Sequence, residues 1–225
     1  MTLTQTPKIL FEDGEALVID KPAGLPVDEP RRGGPCLDDH LDALKLGFQR
    51  APVAVHRLDT DTSGCLLLAR NPKALKRFNK AFEDRRVAKT YLAVLAGHPA
   101  GTQGTIRLSL AKISSEAKGW RMIAAKKGKL AVSHWELVET IGPHALVRFR
   151  PETGRTHQLR VHALKGLGAP LLGDPIYGSE AQRGKGARRT MLHAESLIVQ
   201  RDGKPAIEAH SPLPADFAAF GVSDG

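Results

Sequence analysis

Runs of consecutive apolar residues, each bounded by turn-forming residues, dominate the pattern of this chain and predict buried strands. The clearest runs cover residues 16–20 and 65–69, a further strand candidate covers 89–96, and strand-like segments cover 133–138, 145–149 and 192–199. A continuous apolar run of about four to eight residues is typical of a strand that is buried on both faces. We therefore expect a sheet with several buried strands.

One segment has helical spacing instead. Apolar residues recur at intervals of three and four between 74 and 82, and basic residues fill the opposite face. Asn71 and Pro72 precede the segment, as expected for an N-cap followed by proline at the first helical position. Strands outnumber helices and do not alternate with them, which favours an α+β fold over a doubly wound one. The prediction is a mixed, mostly antiparallel sheet core with flanking helices and basic loops.

Length and charge limit the class of protein. The chain has 225 residues, which fits a single domain over 1–225, and its formal net charge is +9. A sequence pI near 9.8 suggests a polyanionic partner. Basic loops occur at 31–35 and 183–189, and a basic stretch over 112–129, which includes Trp120 and Lys126, is expected to form a hairpin or a long loop.

Location is predicted from what the sequence lacks. No apolar stretch approaches the roughly 18 residues of a membrane-spanning helix. The first residues do not resemble a signal peptide, and two cysteines are too few for a disulfide scaffold. We therefore expect a cytoplasmic protein without a membrane partner.

The run HRLDTDTSG at 56–64 is the strongest candidate for a reactive site. It places the Asp59 carboxylate close to the Arg57 guanidinium, immediately before the apolar run 65–69. A neighbouring guanidinium favours an ionised carboxylate, and a rigid strand holds a reacting group in place. A calcium loop is rejected because Arg70 occupies the position of its bidentate glutamate. A structural turn is the simpler alternative for such a sequence in isolation.

A second block, GRTHQLRVH at 154–162, predicts an anion site at the start of a helix. Thr153 or Thr156 is suited to cap that helix, with Arg155 at its positive end. His157 and His162 are five residues apart, so they do not share a helix face as two metal ligands would. We expect no metal. A third segment, Lys89-Thr90-Tyr91, by itself indicates only a tyrosine in a buried strand.

Taken in order, the segments 18–24, 56–64, 89–91 and 154–162 resemble the successive signature blocks of the RluA family of pseudouridine synthases. The resemblance extends from about residue 8 to 217, within the usual tolerance for boundaries. It implies isomerisation of uridine to pseudouridine in structured RNA, either tRNA or ribosomal RNA, without a cofactor. It also implies that the target base leaves the RNA stack before it reacts.

The same resemblance assigns roles to four residues. Asp59 matches the family's catalytic aspartate, which attacks the ribose or the base so that uracil detaches, rotates and rejoins through carbon. Arg155 matches the arginine that pairs with this aspartate. Arg57 matches an arginine associated with the flipped nucleotide, and Tyr91 matches a tyrosine that stacks on the target base. In this interpretation Asp59 is catalytic, and Arg57, Tyr91 and Arg155 bind the substrate.

The sequence departs from the family pattern at Asp28-Glu29, where many members have a Val-His-Pro sequence; the acidic pair bears on an RNA-contacting edge. No N-terminal RNA-binding appendage is expected, and nothing in the sequence demands more than a monomer. Two alternatives to the isomerase stay open. One is an RNA-binding protein without catalysis, based on the net charge. The other is a nucleoside hydrolase, which ranks lower because no second carboxylate has a matching spacing.

Overall fold

The computed structural model describes residues 6–30, 33–115, 119–179 and 187–222. The chain divides into two compact units. The first comprises Met1–Lys89 and His193–Leu213, and the second comprises Thr90–Leu192 and Pro214–Gly225. The prediction of one catalytic domain over 1–225 stays a prediction.

The first unit contains a mixed sheet in the order β1–β2–β4–β10, with β3 paired to β4 and β11 paired to β10. Strands β4 and β10 run parallel, whereas the other named pairs of this unit are antiparallel. Its elements are β1 (Ile9–Glu12), β2 (Ala16–Lys21), a 3-10 helix (Leu37–Leu44), β3 (Val53–Ala54), β4 (Ser63–Ala69), α1 (Pro72–Glu83), the beginning of β5 (Val87–Leu95), β10 (Leu192–Val199) and β11 (Ile207–His210).

Strand β4 is the centre of this unit, and every one of its residues is buried. At Gly64, φ is +107°, and an added Cβ would lie 2.2 Å from the carbonyl oxygen of Ala194. Only glycine fits at such an approach, because any other residue would clash with the neighbouring backbone. Gly64 therefore allows β4 to pair with β10 directly after the loop that carries Asp59.

Helix α1 begins as its sequence predicts. The Asn71 side chain accepts a hydrogen bond from the backbone N–H of Ala74 at 2.8 Å, and Pro72 is the first helical residue. Phe78 and the alanines at 74 and 81 form its buried face and pack in the core of the first unit. The predicted capping and apolar face of this helix are confirmed.

The second unit contains an antiparallel sheet in the order β5–β9–β8–β6–β7. Its further elements are β6 (Gln103–Ser115), β7 (Gly119–Ala124), β8 (Lys129–Ile141), β9 (His144–Pro151), α2 (Gln158–Gly166) and α3 (Ala215–Ala218). The mixed, mostly antiparallel sheet with few helices confirms the predicted α+β class. In the part of the chain that is described, no helix is long and apolar enough to cross a membrane.

A buried ion pair fixes α2 to the turn that follows it. The Arg160 guanidinium donates two hydrogen bonds of 2.7 Å to the Asp174 carboxylate, which also accepts from the backbone N–H groups of Ile176 and Tyr177. Burial alone would raise the pKa of Asp174, but the hydrogen bonds and charge of Arg160 hold it below its ordinary value. The turn is therefore locked to the helix.

We expect Asp174→Ala to lower the free energy of unfolding by about 3–5 kcal/mol, because it leaves the Arg160 charge buried without its partner. Urea titration measures the loss. The control is Asp42→Ala, which breaks the exposed ion pair of Asp42 with Lys45 and should cost at most about 1 kcal/mol. Equal losses in the two variants would contradict a structural role for the Asp174 pair.

Candidate active site

Asp59 lies half-buried in the turn that leads into β4. The backbone N–H of Thr62 donates to the carbonyl oxygen of Asp59 at 3.0 Å, which closes the turn. Strand β4 begins at Ser63, directly after it. The predicted placement of Asp59 in a loop beside a buried strand is confirmed, whereas its catalytic role stays a prediction.

The buried ammonium of Lys21 anchors this loop. Lys21 has no exposed surface, and its Nζ donates to the carbonyl oxygens of Pro22, Leu25 and Thr60 at 2.7, 2.9 and 3.2 Å. The backbone N–H of Gly24 donates to the same Thr60 oxygen at 2.8 Å. The residue after Asp59 is therefore tied to the turn at the end of β2. This joins the segment 18–24 to the Asp59 loop.

A second set of hydrogen bonds lies under the end of the loop. The Ser63 hydroxyl is 3.0 Å from Nδ1 of the buried His193, and Nε2 of His193 is 3.3 Å from the carbonyl oxygen of Ser211. A carbonyl only accepts, so Nε2 carries the proton and Nδ1 accepts from Ser63. The Ser211 hydroxyl in turn donates to Asp20 at 2.8 Å. These contacts tie the start of β4 to β10 and, through Ser211, to β2.

His56, at the start of the same block, is held in its neutral form. Its Nε2 accepts from the backbone N–H of Leu67 at 3.1 Å, and its ring stacks on Phe82 with centroids 4.8 Å apart. Burial and the nearby charge of Lys89 lower the pKa of His56 to about 3. His56 is therefore a structural hydrogen-bond acceptor for β4 at neutral pH.

Arg57 points to solvent on the same loop as Asp59, with 67% of its side chain exposed. Its guanidinium forms an ion pair with Asp28, which is also exposed. Asp28 belongs to the acidic pair at which the sequence departs from the RluA pattern. One residue of this acidic pair, Asp28, therefore contacts a predicted substrate-binding residue directly.

In the second unit, Gln158 organises the turn that carries Arg155. Its Oε1 accepts from the Arg155 backbone N–H at 2.9 Å and from the Thr153 hydroxyl at 2.8 Å. Its Nε2 donates to the Val132 carbonyl and the Ser133 hydroxyl at 3.0 and 2.9 Å. The Arg155 side chain is exposed, and its Nε donates to the Leu130 carbonyl at 3.2 Å.

The predicted helix cap was wrong. Helix α2 begins at Gln158, and its N-cap is His157 in the left-handed conformation, with φ of 51° and no side-chain capping bond. Thr153 hydrogen-bonds Gln158 and β8 instead, so it is not available to cap the helix. Arg155 consequently lies two residues before the N-cap rather than in the first turn of the helix.

The predicted site residues are divided between the two units. Arg57 and Asp59 share one loop in the first unit. Tyr91 lies on β5 in the second unit, opposite Phe149 of β9 and packed against the core there, and Arg155 belongs to the same unit. The predicted pair of Asp59 with Arg155 takes one residue from each unit and stays a prediction. Of the basic loops, Lys126 is exposed, whereas Arg31 and Arg183 lie outside the described residues.

Three positioning residues were missed by the sequence analysis, which treated Lys21 and Gln158 as parts of motifs and His193 as part of a strand, without separate roles. The position of Lys21 at the end of an apolar strand could have predicted its role, because a lysine buried there needs hydrogen-bond acceptors within the protein. Across the described ranges no group of three or more histidine, cysteine, aspartate or glutamate residues is arranged to hold a metal. The expectation of no metal stays a prediction.

Comparisons with known proteins agree on one family. The family model described as RNA pseudouridylate synthase matches residues 15–165. An uncharacterized RNA pseudouridine synthase of Zymomonas mobilis is 53% identical over 95% of this chain and 97% of that protein. A ribosomal large subunit pseudouridine synthase C of Rickettsia bellii is 36% identical over 94% of this chain and 70% of that protein.

Solved structures agree. The human protein RNA pseudouridylate synthase domain containing 1 has a TM-score of 0.78 and 31% identity, over 95% of this chain and 87% of that one. The chain belongs to the RluA family of RNA pseudouridine synthases, isomerases that act on RNA.

Acid should destabilise the protein through His56. The ring is neutral when folded, so unfolding restores the ordinary pKa of 6.5 and takes up a proton below that pH. The contribution of neutral His56 to the free energy of unfolding is therefore fully present above pH 6.5, and it is lost as the pH falls toward about 3. We expect His56→Gln, which keeps an acceptor for Leu67, to lose about 1.4 kcal/mol less per pH unit below this pH than wild type. Unfolding titrations at several pH values measure the slopes, and parallel slopes would contradict a neutral His56.

Proposed function

We propose that Asp59 is the nucleophile with which this chain converts uridine to pseudouridine in structured RNA. The carboxylate adds to the ribose or to the base, and the bond between N1 and C1′ breaks. Uracil then rotates and C5 bonds to C1′. The bond between the Asp59 carboxylate and the nucleotide breaks and its electron pair returns to the carboxylate, while the C5 proton is lost and N1 gains a proton. The reaction needs no cofactor, because atoms and electrons balance within the nucleotide.

The observation that carries this proposal is the anchoring of the Asp59 loop. The Thr60 carbonyl accepts from both Lys21 and Gly24, so the backbone next to Asp59 is fixed while Asp59 itself is only half-buried. A nucleophile needs this combination, since it must be positioned and still reach the substrate. Asp59 is therefore better suited to chemistry than to a purely structural turn.

Base flipping is part of the proposal, because the glycosidic carbon is not accessible inside a stacked helix. Unstacking costs a few kcal/mol, which contacts to the protein must offset. Arg57, exposed on the Asp59 loop, is the candidate for contact with the flipped nucleotide, and Tyr91 is the candidate for stacking on its base. Arg155 is the candidate partner for Asp59.

Ribosomal RNA is the first substrate that we propose to test. The Rickettsia relative is named as an enzyme of the large ribosomal subunit. A relative of Zymomonas mobilis, 37% identical over 86% of this chain and 61% of that protein, carries the name ribosomal large subunit pseudouridine synthase D. Transfer RNA stays the alternative, because the choice between the two depends on RNA shape.

We expect Asp59→Asn to abolish release of tritium from RNA labelled at uracil C5, by at least about 1,000-fold, because the amide is no nucleophile. RNA affinity should change little. Separate assays on ribosomal and transfer RNA identify the substrate.

The matched control is Asp61→Asn, which changes the same group two residues further along the same loop and should retain activity. Isomerisation by Asp59→Asn would refute the nucleophile. Wild type that binds RNA and releases no tritium from either RNA would favour a non-catalytic RNA-binding protein.

The ion pair of Arg57 with Asp28 should affect the affinity of this protein for RNA. Both side chains are largely exposed, so the ion pair is weak by general experience. A phosphate or a nucleotide can therefore replace Asp28 as the partner of Arg57. Until it does, Asp28 holds the guanidinium and neutralises its charge.

We expect Asp28→Asn to strengthen RNA binding by about two- to five-fold, since it frees Arg57 from an exposed ion pair. Filter binding at constant salt measures the change. Glu29→Gln removes the same charge from the next residue and serves as the control for long-range repulsion. An equal gain in both variants would show that the pairing with Arg57 is irrelevant.

A further inference from the structure

Trp120 is an exposed aromatic residue in a chain that has few aromatics. The protein has two tryptophans, of which Trp135 is buried and Trp120 is 41% exposed. Trp120 lies on β7 opposite Ser114 of β6, and Met122 lies opposite Lys112. Because alternate residues and directly paired residues share a sheet face, Trp120 and Lys112 lie on the same face as diagonal neighbours.

The ring of Trp120 is supported from the protein side. The His157 ring lies against it, with centroids 4.9 Å apart and an angle of 32° between the planes. Nδ1 of His157 is 2.9 Å from the Tyr177 hydroxyl, which accepts from the backbone N–H of Met122 at 3.0 Å. Tyr177 belongs to the turn that Asp174 locks to α2. The indole of Trp120 therefore packs on the His157 ring, which is itself held by the hydroxyl of Tyr177.

The surroundings of the ring are positively charged. The Lys112 ammonium lies over the indole, 5.0 Å from the ring centroid. Arg155 is exposed two residues before His157, and the first turn of α2 contains no acidic residue. A lysine on a flexible stem can leave an aromatic face to pair with an anion. An exposed aromatic ring with nearby cations is the combination that single-stranded nucleic acid sites use.

We propose that Trp120 is a stacking platform for an unpaired base of the RNA substrate, with Lys112 pairing with an adjacent phosphate. The proposal rests on RNA being the substrate. The base takes the place of the Lys112 ammonium on the indole, and the ammonium moves to the backbone. Trp120, Lys112 and His157 all belong to the second unit.

The test uses a single-stranded oligouridine of about ten nucleotides and an RNA duplex without unpaired bases, because stacking needs an exposed base face. Oligouridine should quench tryptophan fluorescence in wild type, and the duplex should quench it less. Trp120→Phe should remove the quenching, because the remaining Trp135 is buried, and should retain most of the affinity, because phenylalanine keeps an aromatic face.

Affinity measurements by fluorescence anisotropy of labelled oligouridine separate the roles. We expect Trp120→Ala to weaken binding about five-fold or more. Lys112→Ala should lower the slope of log affinity against log salt by about 0.7. Val138→Ala, a change at another exposed apolar residue of the same unit, should leave both unchanged.

The outcomes separate this site from the proposed chemistry. Quenching in a wild type that releases no tritium would sustain the platform while refuting the isomerase. Tritium release together with unchanged oligouridine affinity in Trp120→Ala would overturn the platform alone. Equal quenching by the duplex would also overturn it, since a duplex offers no free base.

Discussion

The buried ammonium of Lys21 is the constraint on which the Asp59 loop depends. A buried charge is stable only when its protons are hydrogen-bonded, and the carbonyl oxygen of Thr60 is one of its acceptors. Movement of Thr60 would therefore leave one of the buried N–H groups of Lys21 without a hydrogen-bond acceptor. Lys21 also ends β2 opposite Gly64 of β4, and Gly64 admits the close approach of β10. One buried cation thus couples the loop, the strand after it and the neighbouring parallel strand.

The second unit reaches a comparable result with an uncharged group. The Gln158 amide satisfies both of its ends internally, through the Arg155 turn on one side and β8 on the other. Burying a fully hydrogen-bonded amide costs much less free energy than burying an ion, because the amide carries no net charge to desolvate. In both units the buried polar residue lies next to a candidate functional residue, and the candidate itself remains accessible. The buried residues Lys21 and Gln158 therefore hold the backbone in place, and the candidate functional residues Asp59 and Arg155 stay accessible to a substrate.

Local signals in the sequence predicted the local parts of this structure. The cap at Asn71 and the strand at 192–199 depend on adjacent residues, and both were predicted correctly. The cap of α2 was not, because Thr153 bonds to residues of another element and His157 takes a left-handed conformation. The contact of Ser63 with His193 joins residues 130 positions apart, which no periodicity encodes. The extent of β8 was underestimated because its polar ends pair with neighbouring strands without apolar alternation.

Burial separates the arginines of this protein better than net charge does. The side chain of Arg160 is 7% exposed and that of Arg70 is 3% exposed, and each is matched to an internal carboxylate. On α1, Arg77 pairs with Glu15 and Lys80 pairs with Asp84, and Glu15 also lies within ion-pair distance of Arg201 and Lys204, which follow β10. Such residues contribute to the net charge of +9 without offering free charge to a polyanion. Arg57 and Arg155 differ because their side chains are exposed: Arg57 pairs with an exposed carboxylate, and Arg155 donates to a backbone carbonyl. RNA phosphates can compete with partners of that kind, so we propose Arg57 in the first unit and Arg155 in the second as candidate RNA contacts, ahead of the paired cations of α1.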